Sequence, residues 1–490
     1  MVSQVRQLLN LIIDAVDKLE SACDRTGSPI PDLYTPFTLE SEAFRANLDA
    51  AESARIISAA ALQLEAILSP PQVSLYHVVA GVRNVFLSAN KCIQCFVQHF
   101  KSAALRACLE SHVTEILREA GPEGLHVDDI AAKNGQHPGK MAQFLRYLAT
   151  NHIYREIKPN VFANTRISSL MDTLKQSEEI IAHPEDKHDN TSGLPALAAH
   201  HLDEAFKASA YAWETLADPA TAKSGDPNAS PFSRAFNTTE TMWELFARDE
   251  MRARRFNIGM RGVQALQPTD AILKAYEWNK LPAGSVVVDV GGGIGSTSLP
   301  LAREFPSLEI VVQDLQTAIQ DGEKFWQKNL PNSPVTLEVQ NFFTPQPTNR
   351  EVSVFLLKQI LHDWSDEYCV KILTQLRNAA RKDTRLLVVE SLVPYACHEA
   401  NVNGDASDIP GSIPKEAPAP LLANYGLVNE MVYAIDIDMF LFFNAQERTI
   451  RHFKDLLLST GWKVKKVYRQ KGDDTYLQSI EAVPVVVPSP

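Results

Sequence analysis

His362 sits in the run Lys358-Gln359-Ile360-Leu361-His362-Asp363-Trp364-Ser365-Asp366, just past an apolar strand predicted over Val352–Leu357. An imidazole titrates near about 6.5 and suits the removal of a proton from a hydroxyl such as a phenol, whose own value is about 10. In open α/β sheets ligands bind outside the carboxyl ends of the strands, and this histidine falls at such an end. On its own it reads equally as a surface-loop histidine at a helix start, where its charged form is slightly disfavoured.

A second stretch points to a ligand. Val286–Leu315 opens with the apolar run Val286-Val287-Val288, turns through Gly291, Gly292, Gly293 and Gly295, continues at helical spacing to Pro306, and ends in a β-branched strand at Asp314. Strand, glycine turn, helix, strand and acid form the first half of a nucleotide-binding α/β unit. A dinucleotide site wants G-x-G-x-x-G, yet the third glycine is Ser296 counted from Gly291 and Ser298 counted from Gly293. Asp289, Gly291, Gly293 and Gly295 follow D-x-G-x-G-x-G instead. That pattern suits S-adenosylmethionine, which brings a nucleoside and an amino acid without a phosphate, and Asp314 is placed to accept from two ribose hydroxyls. The competing reading is a glycine turn with no ligand. Methyl transfer then asks the protein to hold acceptor, methyl and sulfur in line and to take the acceptor's proton.

A length of 490 residues predicts two or three domains. At 45% hydrophobic and 22% charged the composition is globular, and a formal net charge of −12 argues against nucleic acid as the main partner. No apolar run reaches membrane-spanning length, so no membrane partner is expected. The N-terminus reads as an amphipathic helix rather than a secretion signal. Six cysteines are too sparse for a disulfide framework. Cys92 and Cys95 read as core thiols, and no metal site is expected. A soluble, cytoplasmic protein is the expectation.

Helices are predicted over 1–24, 43–68 (ended by Ser69-Pro70-Pro71) and 73–100. The first carries the apolar positions Val5, Leu8, Leu9, Ile12, Ile13, Val16 and Leu19. Between 104 and 168, adjacent helices over 127–134 and 137–151 precede a hairpin at 153–157 and 161–163. This is a winged-helix pattern, read as a scaffold rather than a DNA reader because Lys140 and Arg146 are the second helix's only cations. A linker is read at 183–193, helix at 202–216 and a polar break at 218–231. The stretch 232–266 carries Trp243, Phe256 and Met260, which read equally as pocket lining or as core. From 281 strands and helices alternate, predicting a doubly wound α/β sheet. Strands are placed over 308–312, 335–339, 386–390, 463–469 and 476–483. Helices are placed over 318–329, 365–380 (with a Ser365 cap), 431–443 and 447–459. The stretch 396–427 is read as a long mobile insertion. The resulting domains are 1–180, 181–280 and 281–490.

Taken together, VDVGGGIG, VQDL, NFFTPQP, LKQILHDWSDE, VVES and NAQERT, with Met242-Trp243-Glu244 and Arg255-Phe256-Asn257, resemble the plant-type small-molecule O-methyltransferases. The likeness, over nearly the whole chain, is to the caffeate O-methyltransferase type and its fungal polyketide branch, such as sterigmatocystin O-methyltransferase. The resemblance implies a Rossmann-like methyltransferase sheet behind a helical, winged-helix dimerisation domain, and a homodimer. It implies S-adenosyl-L-methionine as cofactor and an aromatic hydroxyl of a secondary metabolite as acceptor. By the same resemblance Gly291 and Asp314 contact the cofactor, Asn341 and Phe342 the adenine, and Lys358 the methionine end. His362 becomes the base, with Glu390 and Glu447 beside it. Trp243, Phe256, Asn257, Met260 and Met439 become acceptor-pocket residues. Where the family usually has Asp, this chain has Asn341, which lacks the charge of a stronger hydrogen bond. Two alternatives remain: an S-adenosylmethionine-dependent cyclase or pericyclase that transfers no methyl, and a winged-helix DNA-binding regulator.

Overall fold

A computed structural model describes residues 2–32, 35, 38, 40–68, 98–151, 153–165, 167–267, 270–398, 408–419, 421–469 and 477–486. Its contacts divide the chain into two compact units. One is Met1–Ala210 with Trp243–Gln267 and Ala419–Leu421, and the other is Tyr211–Met242 with Pro268–Pro418 and Leu422–Pro490. Of the helix predicted over 73–100, residues 73–97, with the Cys92/Cys95 pair, lie outside the described residues, and 98–100 open the helix Gln98–Glu110.

In the first unit, helix Gln4–Thr26 is capped by Ser3, whose hydroxyl accepts from the Arg6 N–H, and ends at Gly27 in the left-handed region. Leu8, Ala15, Leu19, Ala22 and Cys23 form its buried line, while Leu9 and Ile13 of the expected stripe are exposed. The second helix begins at Leu48 rather than 43. Asn47 Oδ1 accepts from the Asp49 and Ala50 N–H groups (3.0 and 3.1 Å) and fixes that start, after a 3₁₀ turn over Glu40–Ala46.

Helices Val127–Asn134 and Pro138–Thr150 stand between β1 (Leu125–His126) and the hairpin of β2 (Tyr154–Lys158) and β3 (Val161–Asn164), and the three strands form a small antiparallel sheet in the order β1-β3-β2. Ile116, Leu117, Ile130, Leu145, Leu148, Tyr154 and Phe162 close its core. The helix expected over 202–216 is broken. His201–Ala205 makes a π turn, and short helices Phe206–Ser209 and Ala212–Ala217 follow. The π turn projects Asp203 and Glu204, which receive Arg252 and Arg255, and Asp203 also receives Arg106. Gathering partly buried cations around two buried acids outweighs a continuous helix ladder.

The second unit carries a seven-stranded sheet in the order β6-β5-β4-β7-β8-β10-β9. Its strands are β4 (Val286–Val290), β5 (Glu309–Asp314), β6 (Thr336–Val339), β7 (Val352–Lys358), β8 (Arg385–Glu390), β9 (Trp462–Tyr468) and β10 (Gln478–Pro484). Pairing is parallel from β6 to β8, and β10 runs antiparallel to both β8 and β9. Apolar clusters cover both faces, which is why β4, β7 and β8 are continuous Val/Leu/Phe runs. Chain order reverses at β4, so a crevice opens beyond the carboxyl ends of β4 and β7.

Of the stretch 396–427, residues 399–407 and 420 lie outside the described set. Elsewhere it is anchored: Val467 N–H donates to Pro410 O at 2.9 Å, and Arg469 donates to Gly411 O and Ser412 O at 2.7 Å.

Candidate active site

The glycine turn is built on Asp289. Its buried carboxyl accepts from Ser298 Oγ at 2.6 Å, and burial pushes it up to about 6. Gly291 and Gly292 N–H groups donate to Gln313 O on β5 (2.9 and 3.0 Å), locking the turn across the sheet edge. Gly291, Gly293 and Gly295 all have positive φ, at 70°, 58° and 82°. A Cβ on Gly291 would stand 2.7 Å from Ile360 Cδ1, and one on Gly295 2.5 Å from Trp326 Nε1, whereas Gly293 faces open space. Two glycines therefore serve internal packing, and the third leaves backbone open to a ligand.

Asp314, at the end of β5, stands beside that opening. Its carboxylate accepts from the Gly293 and Leu315 N–H groups, each at 2.7 Å, and burial raises its proton affinity. Each oxygen keeps a lone pair for a hydroxyl. Gln340 N–H donates to Asp314 O at 2.9 Å, bringing the loop after β6 to the same edge. There Asn341 is exposed, and its Oδ1 accepts from Phe343 N–H at 2.9 Å. The half-buried Phe342 ring packs edge-on to Trp364 at 5.9 Å. It comes within 3.5 Å of where a Gly291 Cβ would be. Lys358 ends β7 and donates to Gln359 Oε1 at 2.7 Å. Burial pushes its ammonium down to about 8 against the pull of Asp289 and Glu390. Gly291, Asp314, Asn341, Phe342 and Lys358 thus share the edge the sequence assigned them, and this nest of glycine backbone and carboxylate fits a nucleoside.

His362 occupies a 3₁₀ turn, Leu361–Asp363, rather than a helix start, and is 8% exposed. Its Nδ1 is 2.7 Å from Glu447 Oε1 and 3.9 Å from Glu390 Oε2, and Asp363 Oδ1 lies 3.5 Å from Nε2. Burial opposes the imidazolium, but Glu447, Glu390 and Asp363 outweigh it and raise His362 to about 10. Glu390, wholly buried at the end of β8, accepts from the Ile360 and Leu361 N–H groups at 3.0 and 2.9 Å. Burial pushes it up to about 7. Glu390 Oε2 and Glu447 Oε2 have no hydrogen-bond partner among the described residues. Donor atoms of His362, Glu390 and Glu447 lie within 4.8 Å of one another. At 2.7 Å the contact of His362 Nδ1 with Glu447 is a short hydrogen bond.

Glu447 was expected at a helix N-terminus. It lies in the loop before helix Ile450–Ser459, because Thr449 is the cap and accepts from His452 N–H at 3.2 Å. Its own N–H donates to Asp436 Oδ1 at 2.7 Å. Ser365 precedes helix Asp366–Ala379, but its hydroxyl donates to Gly225 O at 2.8 Å instead of capping it. Tyr368 donates to Asp226 Oδ1 (3.0 Å), and Asn444 to Ser224 O (2.7 Å), so residues 224–226 strap two walls of this site together. Sequence reasoning missed Asp363, Asp366, Asp436 and Arg448. Asp363 and Asp366 stand in the run that carries His362, and Arg448 stands beside Glu447 in NAQERT, so adjacency could have signalled them; nothing local marks Asp436.

The expected acceptor residues are divided. Trp243, Phe256, Asn257 and Met260 lie in the first unit, where the Trp243 and Phe256 rings meet edge-on at 5.6 Å, Asn257 is exposed and Met260 half-buried. Met439 is half-buried on helix Glu430–Phe443 of the second unit.

Residues 93–173 match the profile of an O-methyltransferase dimerisation domain, and residues 213–405 that of an O-methyltransferase domain. The chain is 50% identical over 489 residues to 4-O-methyltransferase 1 of Phanerochaete chrysosporium, spanning 99% of this chain and 100% of that one. Sterigmatocystin 8-O-methyltransferase of Aspergillus parasiticus is 27% identical, over 77% of this chain and 78% of its own. Among solved structures, LepI in complex with SAM matches with a TM-score of 0.65 at 17% identity, over 90% of this chain and 96% of that chain. Likeness at that identity carries the α/β fold and no chemistry. The expected family, fold class and cofactor all stand: with matched domains in both halves and a relative half identical along its full length, the chain belongs to the S-adenosylmethionine-dependent O-methyltransferases.

Proposed function

We propose that this enzyme methylates an aromatic hydroxyl of a secondary metabolite, with His362 as general base. The observation that carries this reading is the buried 2.7 Å contact between His362 Nδ1 and Glu447. A carboxylate there orients the ring and stabilises the imidazolium that forms when Nε2 takes the acceptor's proton. A phenol near about 10 and an imidazole held at about 10 are matched, so proton transfer between them is close to thermoneutral. In the unloaded protein His362 is then mostly imidazolium at neutral pH, and its deprotonated fraction is the active base. Glu390 supports the same ring and holds the turn through two backbone N–H groups.

Asp314 and the open face at Gly293 support the nucleoside, with Asn341 and Phe342 at the adenine and Lys358 toward the methionine end. Bound there, S-adenosylmethionine supplies an activated methyl group. Trp243, Phe256, Asn257, Met260 and Met439 are each proposed, from the sequence alone, as acceptor-binding residues. A homodimer is proposed from the matched dimerisation domain. The helix–helix–hairpin segment is proposed to be a winged helix used as scaffold, a reading supported by Arg146, which is engaged by Glu156 (3.1 Å) and Asn160 (2.7 Å). No described helix is long and apolar enough to cross a membrane. A cytoplasmic location is proposed from the sequence alone. Incubating the protein with methyl-labelled S-adenosylmethionine and a panel of phenols, then locating the label by mass spectrometry, tests the acceptor class. Label on a phenolic oxygen is expected; label on carbon or nitrogen, or an isomerised product without label, would contradict it.

A further inference from the structure

We propose that Arg448 is a positioning residue for the transfer: its guanidinium grips the turn carrying His362 on both sides and thereby sets the imidazole against Glu447. The inference rests on the reading of His362 as the base.

The Arg448 side chain is 0% exposed, and every direction of its fork is used. It donates to Leu361 O at 2.8 Å, Trp364 O at 2.7 Å and Asp366 Oδ1 at 2.9 Å. Those two carbonyls flank His362 and Asp363. A buried guanidinium is tolerated only when its donors are satisfied, and three acceptors at fixed spacing match a planar fork that an ammonium cannot copy. Asp366 also accepts from His452 Nε2 at 2.7 Å, which holds the acid in place. Those bonds keep its carboxyl down at about 2 although burial works the other way.

Arg448 is covalently next to Glu447, so one residue grips the turn while its neighbour pairs with the histidine on it. Its backbone is tied as well. Val393 N–H donates to Arg448 O at 3.1 Å, just beyond the strand end that carries Glu390. The three sources of charge around His362 are thus held in one frame: Glu447 from the loop, Glu390 from β8 and Asp363 from the turn itself. Asp436 stands behind Glu447 through its N–H, and Lys358 lies on the Glu390 side. Glu390 holds the turn through its N–H groups, and Arg448 holds it through its carbonyls.

The test follows the His362 ring directly, by NMR titration of the full-length protein with isotope-labelled histidine, the resonance assigned with His362→Gln. Arg448→Lys and Arg448→Gln are expected to lower the His362 midpoint by about one unit or more toward about 6.5, with cofactor affinity within about threefold of wild type. Asp366→Asn, which leaves the arginine in place, lowers it by less and serves if the arginine variants fail to fold. Turnover of Arg448→Gln falls at least about tenfold, and the same change made on top of His362→Gln removes nothing further. Unchanged His362 midpoints in folded variants, Asp366→Asn included, would overturn the proposal. If His362→Gln turns over normally, the base reading fails while the titration still reports on the clamp, so the two failures are distinguishable.

Discussion

Replacing Glu447 with Gln keeps the shape of the side chain and a hydrogen-bonding oxygen 2.7 Å from His362 Nδ1, but removes the charge. Hydrogen bonds to charged groups contribute about 1.5–3 kcal/mol, which at 1.36 kcal/mol per unit lowers the His362 midpoint by about one to two units. The sign of the stability effect follows from linkage. His362 is raised in the folded protein to about 10 from about 6.5 unfolded, so its contribution is full below about 6.5 and is lost as pH rises through about 10. Glu447→Gln should therefore cost most near neutral pH and least above about pH 10. For a unit of this size 1 kcal/mol corresponds to about 2–4 °C in melting temperature. The variant's deficit relative to wild type should then be about 3–12 °C larger at about pH 7 than at about pH 11. Differential scanning fluorimetry on both proteins at both pH values measures this. Equal deficits at the two pH values would refute the imidazolium–carboxylate pair.

Gly293→Ala should lower the melting temperature only by the strain of its 58° φ, about 1–2 kcal/mol, while weakening cofactor binding by calorimetry more than about tenfold. Gly295→Ala should lose more stability, because its Cβ meets the Trp326 indole at 2.5 Å; equal melting temperatures for the two would contradict that division. Asn341→Asp should tighten S-adenosylmethionine binding by about three- to tenfold, since a charged acceptor is roughly twice as strong as an amide; weaker or unchanged affinity would remove Asn341 from the adenine site.

Much of this unit was legible because its strands are buried on both faces. Val286–Val290 and Val352–Lys358 are runs that only an enclosed sheet tolerates, and the residues at their carboxyl ends had to border the crevice. The His362 motif was legible for the same reason. Glu447 was reached only by resemblance, since 85 residues separate it from the histidine it bonds. Asp436 carried no signal, and Arg448 lay in the run NAQERT with nothing to mark it as buried. A buried arginine in a polar loop looks like any surface arginine until its acceptors, all on residues 361–366, are in position. Local period also misled where a tertiary charge cluster won: apolar spacing over 202–216 suggested one helix, but the cations around Asp203 and Glu204 impose a π turn. Side-chain oxygens of Asn47 and Thr449 moved two helix starts, from 43 to Leu48 and from 447 to Ile450.

The central claim is that His362 takes the acceptor's proton. Its most direct test is single-turnover methyl transfer by His362→Gln, on a phenol that the wild-type enzyme methylates, with S-adenosylmethionine affinity measured on the same preparation. The account predicts a rate lower by about 10²–10⁴-fold with cofactor affinity within about threefold. Turnover within about twofold of wild type, with the label on the same oxygen, would contradict it.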